Sequence, residues 1–177
     1  MIRHNAGLIF LLAGMALVAP VSFGASLEIA VRHTFGAEPL RLDSLRYQNA
    51  ASETLSVTRL SYLLGGFALE RADGTWMELT NQTAWLDAAQ RRTVLQLGNI
   101  PAGAYRSIRW HVGIETNANH ADPAPYPADH PLNPNLNGLY WSWQGGYIFL
   151  ALEGIWRTDV AASRQSAASS KIGRAHV

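Results

Sequence analysis

Histidine and tryptophan are the residues of this sequence whose types could do chemistry. The chain has six histidines and no cysteine. His4 and His176 belong to terminal segments that are treated below. The remaining candidates are His33, His111, His120 and His130. Without a thiolate, a site for a soft metal ion must use imidazole, helped by methionine or by a ligand derived from an aromatic side chain.

Motifs of the common hydrolases and nucleotide-binding enzymes are missing from the sequence. It has no H-E-x-x-H, no G-x-S-x-G and no phosphate-binding glycine loop. Asp122 and Asp129 could act as a carboxylate pair, but their spacing does not place them together. We therefore expect a binding protein and not an enzyme. A metal-dependent oxidase, which would need an open coordination position, is the least favoured class.

His33 and His111 both fall in segments with the period-two pattern of a half-buried strand. His33 shares a face with Leu27, Ile29 and Val31, so we expect its ring to point inward near a strand end. In residues 104–114 the pattern predicts two faces: Ile108, Trp110, Val112 and Ile114 on one, and Ser107, Arg109, His111 and Gly113 on the other. An inward histidine can be a metal ligand or a hydrogen-bonded core residue, and both readings stay open.

Short strands and frequent turns characterise the whole chain. Asp73-Gly74 lies between two β-rich runs and predicts a hairpin. Residues 54–64 are rich in β-branched and large apolar side chains, and Gly65-Gly66 is expected to break that strand. The fold class predicted is all-β, an antiparallel β-sandwich with one long Pro/Asn-rich loop.

The long loop spans residues 116–138 and holds five of the eight prolines, together with His120 and His130. A loop of this length in a small domain is usually functional or disordered. We expect it to be ordered. An aromatic strand follows it, in which Trp141 and Trp143 share a face, and Gly145-Gly146 suits a bulge.

The two termini differ in character from the domain between them. Residues 1–24 combine a basic start, a short apolar core and small residues at a cleavage site, which predicts a secretory signal peptide. Residues 171–177 contain the single lysine of the chain, and one back-translation of them matches a common sequencing adapter, so we expect an artefact. We predict one β-sandwich domain over 25–170, truncated at its C-terminus, and a periplasmic or secreted location without a stable membrane anchor after cleavage.

Charge argues against a nucleic-acid partner. Residues 25–170 hold eleven arginines against thirteen acidic residues, so the mature segment is mildly acidic and has no basic patch. The absence of cysteine also excludes disulfides, so the core must be stabilised by burial alone.

Four segments resemble the MbnP-type periplasmic copper-binding proteins, whose relatives include the copper proteins CorA and MopE of methane-oxidising bacteria. The most specific is the W-x-W-Q-x-G-Y motif within residues 130–154. The weaker ones are residues 33–40, 57–64 and 108–114, which occur in the same order. The resemblance covers nearly all of residues 27–156.

The resemblance implies a β-sandwich that holds one copper ion between two imidazoles and a kynurenine made by oxidising tryptophan. By motif, the imidazoles fall on His33 and His111, with His120 and His130 as weaker candidates. In those relatives the modified tryptophan precedes a ligand histidine by two residues, a place that Val31 occupies here. The candidates for modification or for lining the pocket are Trp110, Trp141 and Trp143. A di-haem oxidase similar to MbnH is the implied partner.

One alternative comes from a different class of protein. The Trp-rich strand and the proline loop could form an interaction module that binds a carbohydrate or a partner protein, because exposed aromatic rings are a usual platform for sugars. Copper titration distinguishes this reading from a copper-binding protein.

Overall fold

The computed structural model describes residues 24–157. The predicted artefact at 171–177 and the predicted signal peptide, apart from Gly24, lie outside the described residues. The first strands are β1 Ala25–Ala30, β2 Thr34–Phe35, β3 Glu38–Pro39, β4 Tyr47–Gln48, β5 Thr54–Arg71 and β6 Trp76–Glu78. They are followed by β7 Ala84–Asp87, β8 Val94–Ile100, β9 Tyr105–Val112, α1 Thr116–Asn119, α2 Pro134–Asn137, β10 Tyr140–Trp141, β11 Gly146–Tyr147 and β12 Leu150–Arg157.

The large sheet is built around β5, and all its pairings are antiparallel. β12 and then β9 pair along one edge of β5, while β4, β7 and β6 pair along the other. β1 and β8 form a separate antiparallel pair. The prediction of an all-β antiparallel sandwich is therefore confirmed.

The predicted break at Gly65-Gly66 is wrong, because β5 continues through both glycines for 18 residues. The ladder with β9 instead contains a bulge between Gly65 and Ala68, and Gly66 has a φ of 61°. A left-handed φ favours glycine. The Gly65-Gly66 pair therefore changes the direction of the strand without ending it.

Two apolar clusters cover the two faces of the large sheet. On one face, Leu64, Phe67 and Leu69 pack against Leu95 and Leu97 of the β1–β8 pair. The second cluster lies on the other face, between the large sheet and the segment that contains the long loop. It consists of Leu63, Trp85, Ile114, Leu132, Leu139, Tyr147, Ile148 and Ala151. The sheet is therefore the middle of three layers.

The long loop is ordered by its own asparagines and contains both short helices. The Asn133 side chain caps α2 by accepting from the Asn135 amide, and Gly138 ends the helix at a φ of 61°. Buried Asn137 donates to the carbonyl of Pro131 at 2.8 Å and accepts from the amide of Leu139 at 2.7 Å. Within residues 24–157, neither four-residue helix approaches the length needed to span a membrane.

Replacing Asn137 by alanine should destabilise the domain, because it leaves the Pro131 carbonyl and the Leu139 amide without partners. Two such groups correspond to a loss of about 2–6 kcal/mol in the free energy of unfolding. Urea denaturation followed by tryptophan fluorescence measures it. Asn135→Ala in the same helix is the matched control, since the Asn135 side chain is exposed. Equal stability of the two variants would contradict this account of the loop.

Candidate functional site

His33 follows β1 and packs on the face of the large sheet that is turned toward the β1–β8 pair. Its Nε2 lies 2.9 Å from the Tyr62 hydroxyl, and the two rings meet edge to face. The ring is half-buried, and burial lowers the pKa of His33 below its usual 6.5, while the nearby carboxylate of Asp87 acts in the opposite direction. His33 is therefore neutral at pH 7 and already hydrogen-bonded at one nitrogen.

His111 lies in β9, opposite Gly65 of β5. Its ring covers Gly66, where an added Cβ would come within 2.4 Å of the His111 Nδ1. A carboxylate oxygen of Glu115 would lie 3.5 Å from the same Cβ position. His111 is exposed and forms no hydrogen bond with any residue of 24–157.

The structure does not bring His33 and His111 together. Side chains alternate between the faces of a strand. Tyr62, the partner of His33, belongs to the first apolar cluster, and the register of Gly65 with His111 puts that ring on the opposite face. The sheet itself therefore separates the two imidazoles.

His130 has a structural role in the loop. Its ring stacks on Tyr126 at a centroid distance of 4.3 Å, and its Nδ1 accepts from the amide of Leu132 at 3.1 Å. Burial lowers the pKa of His130, with the charge of Asp129 opposing that shift. The nitrogen lone pair that a metal would need at Nδ1 is already occupied.

His120, at the end of α1, has the arrangement expected of a metal ligand. Its Nδ1 lies 3.1 Å from the carbonyl oxygen of Gly145, which can only accept, so Nδ1 carries the proton. Nε2 then keeps its lone pair. Metal-binding imidazoles commonly donate their second nitrogen to a carbonyl in this way, which fixes both tautomer and ring orientation.

Asn119 supports this tautomer. Its side-chain oxygen accepts from the amide of Tyr147 at 2.7 Å, so its amide N–H points at the Nε2 lone pair of His120, at 3.5 Å. A metal ion at Nε2 would have to replace this long contact. Gly146 is close to the Asn119 side chain, and a Cβ there would lie 3.2 Å from it. The spacing of residues in the sequence contained no signal for Asn119 or Gly145.

Trp141 lines a cavity of about 330 Å³ together with His120, Gln144 and Tyr147. Its ring stacks on Trp143 with centroids 4.9 Å apart, and Trp143 is 72% exposed. Trp110 lies elsewhere, in β9, where it approaches Phe67 at 6.3 Å. Of the three candidate tryptophans, Trp141 is thus the one that shares a cavity with a candidate histidine.

Conventional metal donors do not form a complete set in the described part of the chain. Residues 24–157 contain no group of three or more His, Cys, Asp or Glu side chains placed to hold one metal ion. The sulfur of Met77 lies 4.0 Å from the Tyr105 hydroxyl and packs against the first cluster, away from the histidines of the loop. A metal site at His120 would therefore need a donor of another kind.

Comparison with known proteins identifies the family. The family model of MbnP matches residues 24–176. The chain belongs to the MbnP family. The resemblance inferred from the sequence motifs is thereby confirmed.

A solved structure of MbnP from Methylosinus trichosporium has the same fold, with a TM-score of 0.55 at 19% sequence identity. The likeness covers 75% of this chain and 55% of that chain, so the present chain spans little more than half the length of its relative. No match was found among curated proteins. At this level of identity the structural likeness establishes the fold alone.

The lowered pKa of His33 predicts acid-linked destabilisation. As pH falls through 6.5, the unfolded chain binds a proton at His33 before the folded chain does. The free energy of unfolding should therefore fall as pH is lowered through this value and level off below the folded-state pKa. In His33→Gln this part of the pH dependence should be absent. The measurement is the urea midpoint of unfolding of the metal-free protein at pH 7.5 and at pH 5.5.

His120→Gln is the control for that experiment, because its imidazole is exposed and lies in the loop. The parent and the His120→Gln protein should lose comparable stability between the two pH values, and His33→Gln should lose less. A loss in His33→Gln as large as that of the parent would rule out His33 as a source of the effect.

Proposed function

We propose that this chain is an exported copper-handling protein that binds copper at His120 and a modified Trp141. Membership in the MbnP family supports the class of function. The observation that carries the site is the shared cavity of His120 and Trp141, in which the carbonyl of Gly145 holds the imidazole with Nε2 unprotonated. The proposed activity is binding and transfer of copper, without catalytic turnover.

The chemistry of the donors fits copper only in part when Trp141 is an intact indole. Imidazole is a good ligand for copper, but an indole offers no lone pair in the ring plane. Cleavage of the indole C2–C3 bond by an oxidant such as O2 or hydrogen peroxide adds two oxygen atoms, and hydrolysis of the resulting N-formyl group by water releases formate. The product is kynurenine, with an aniline nitrogen and a ketone oxygen. Both are donors, and the modification would extend the set that His120 begins.

The modification needs an external oxidant, and we propose a di-haem oxidase similar to MbnH as that partner. Trp143 is 72% exposed and stacks directly on Trp141, so the tryptophan pair reaches the surface. A partner protein could therefore approach the pair without opening the fold. Export through the predicted signal peptide would place the chain in the periplasm with such a partner.

His120→Gln should weaken copper(I) binding by about tenfold or more, since removal of one ligand of a metal commonly costs at least that factor in affinity. Competition with a chromophoric copper(I) chelator under anaerobic conditions measures the affinity. His130→Gln is the matched control, because it removes an imidazole from the same loop.

His33→Gln and His111→Gln complete that series. If either of them abolished binding while His120→Gln bound copper as the parent does, the proposed site would be wrong. If all four variants bound as the parent does, copper binding by the histidines of the described region would be refuted.

Trp141 should be the modified residue when the chain is produced together with an MbnH-type di-haem oxidase. Mass spectrometry of the peptide should show the gain of two oxygen atoms and the loss of carbon monoxide at Trp141. Trp141→Phe should abolish the change, and Trp110→Phe should not. Modification at Trp110 or Trp143 with Trp141 intact would contradict the assignment.

The exposed ring of Trp143 favours a second candidate, recognition of a sugar or a protein surface by the tryptophan pair. Trp76 is a poorer platform because the guanidinium of Arg109 covers its ring at 4.5 Å. Under this alternative Trp143→Ala would abolish ligand binding and leave copper affinity unchanged, whereas the copper site depends on Trp141.

A further inference from the structure

A separate cleft of about 890 Å³ lies beside His33. It opens between the end of β1, residues 40–43 and the turn that connects β7 to β8. We call it the His33 cleft. Its apolar wall includes Val31, Leu40 and Leu42, and its charged residues are Arg32, Asp43 and Arg91. Its volume falls in the range of pockets that bind small organic molecules.

Two guanidinium groups at this cleft form no ion pair with any residue of 24–157. Arg59, Arg106 and Arg109 form ion pairs with glutamates. Within residues 24–157, Arg32 and Arg91 form none, and both are exposed. Two such arginines beside an apolar wall form a surface suited to a carboxylate, which guanidinium groups bind with paired hydrogen bonds.

The backbone at Arg91 indicates that its side chain is not required by the turn. Arg91 has a φ of 56°, in the left-handed region that favours glycine. The turn is closed by the pairing of Asp87 with Arg92 and by the Asp87 carboxylate, which accepts from the Gln90 amide. Neither contact uses the Arg91 side chain, so glycine would form this turn with less strain.

The neighbouring Arg92 shows the contrast. Its guanidinium lies 4.8 Å above the ring of Trp85 and stabilises the second apolar cluster. Arg92 thus packs on a buried tryptophan, whereas Arg91 lines the His33 cleft. Two of the five non-glycine residues with a positive φ in the described region, Asp43 and Arg91, line this cleft.

We propose that the His33 cleft binds a small organic anion, with its carboxylate at Arg91 and Arg32 and its aliphatic part against Val31, Leu40 and Leu42. The Nδ1 of His33 has no hydrogen-bond partner among residues 24–157 and can add a donor when the Tyr62 hydroxyl donates to Nε2. This site is on the other face of the large sheet from His111 and does not depend on the proposed copper site.

Removing the charge of Asp43 tests whether the cleft binds an anion or a cation. Its carboxylate lines the same cleft, so it opposes the binding of an anion and would favour a cation. Asp43 has a φ of 55°, which asparagine tolerates well, so Asp43→Asn removes the charge without disturbing the backbone.

The experiment is calorimetric titration of metal-free protein with octanoate, using octanamide as the uncharged probe of the same shape. Octanoate should bind and octanamide should bind at least about tenfold more weakly, as expected for loss of a charge-assisted hydrogen bond. Arg91→Gly should lower octanoate affinity by about the same factor at an equal or higher urea midpoint, which excludes misfolding as the cause. Asp43→Asn should raise the affinity.

Ser52→Gly is the matched control, because Ser52 has a φ of 61° on an exposed turn that does not line the cleft. Its octanoate affinity should equal that of the parent. The proposal is overturned if octanoate does not bind, if octanamide binds equally well, if Arg91→Gly retains full affinity, or if Asp43→Asn weakens binding.

Discussion

The hydrogen-bonded ladder of β5 is the constraint on which the rest of this structure depends. At about 3.3 Å per residue its 18 residues have a contour length of roughly 60 Å, well beyond the usual length of a strand, although the bulge at Gly66 bends it. Each of the other strands described in the large sheet pairs with β5, and apolar clusters cover both of its faces. Other strands pair along both of its edges over much of its length, and its side chains alternate between two different environments.

The alternation of side chains between the two faces of the large sheet determines which of them can contact one another. Tyr62 and Leu64 face the β1–β8 pair, whereas Leu63 and Gly65 face the layer that contains the long loop. Two histidines from segments with equally regular alternation can therefore lie on opposite sides of the sheet, as His33 and His111 do. Packing on this sheet also requires glycine at the bulge, because the His111 ring occupies the space that a Cβ of residue 66 would need.

Period-two patterns predicted β1 and β9 as strands, since alternation needs no knowledge of distant partners. They did not predict burial in β9, where Trp110 and Val112 are exposed, and β1 ends at Ala30, before His33. The hairpin at Asp73-Gly74 formed as expected, with Gly74 at a φ of 86°. The continuity of β5 was not predictable from the glycine pair, because the strands that support it, β7, β9 and β12, are distant in sequence.

The placement of His120 was also beyond the sequence pattern. The family motif pointed to His33 and His111, and a histidine in a long loop is expected to lose conformational entropy on binding a metal. Here the carbonyl that orients His120 comes from Gly145, 25 residues later, and the loop is already ordered by its asparagines. The ordering cost is thus met during folding, by hydrogen bonds that local spacing does not reveal.

Tyr147 joins this loop to the hairpin formed by β10 and β11, which contains Trp141. Its hydroxyl donates to the carbonyl of Leu132, and its amide donates to the side chain of Asn119. Burial raises the pKa of Tyr147, so the hydroxyl remains a donor at any physiological pH. Because β11 also pairs Tyr147 with Tyr140, next to Trp141, the backbone and side chain of this one residue connect the histidine end of the loop, the proline end of the loop and the β10–β11 hairpin. The positions of His120 and Trp141 relative to each other are therefore set by hydrogen bonds and strand pairing around Tyr147, together with the packing of Trp141 against the second apolar cluster.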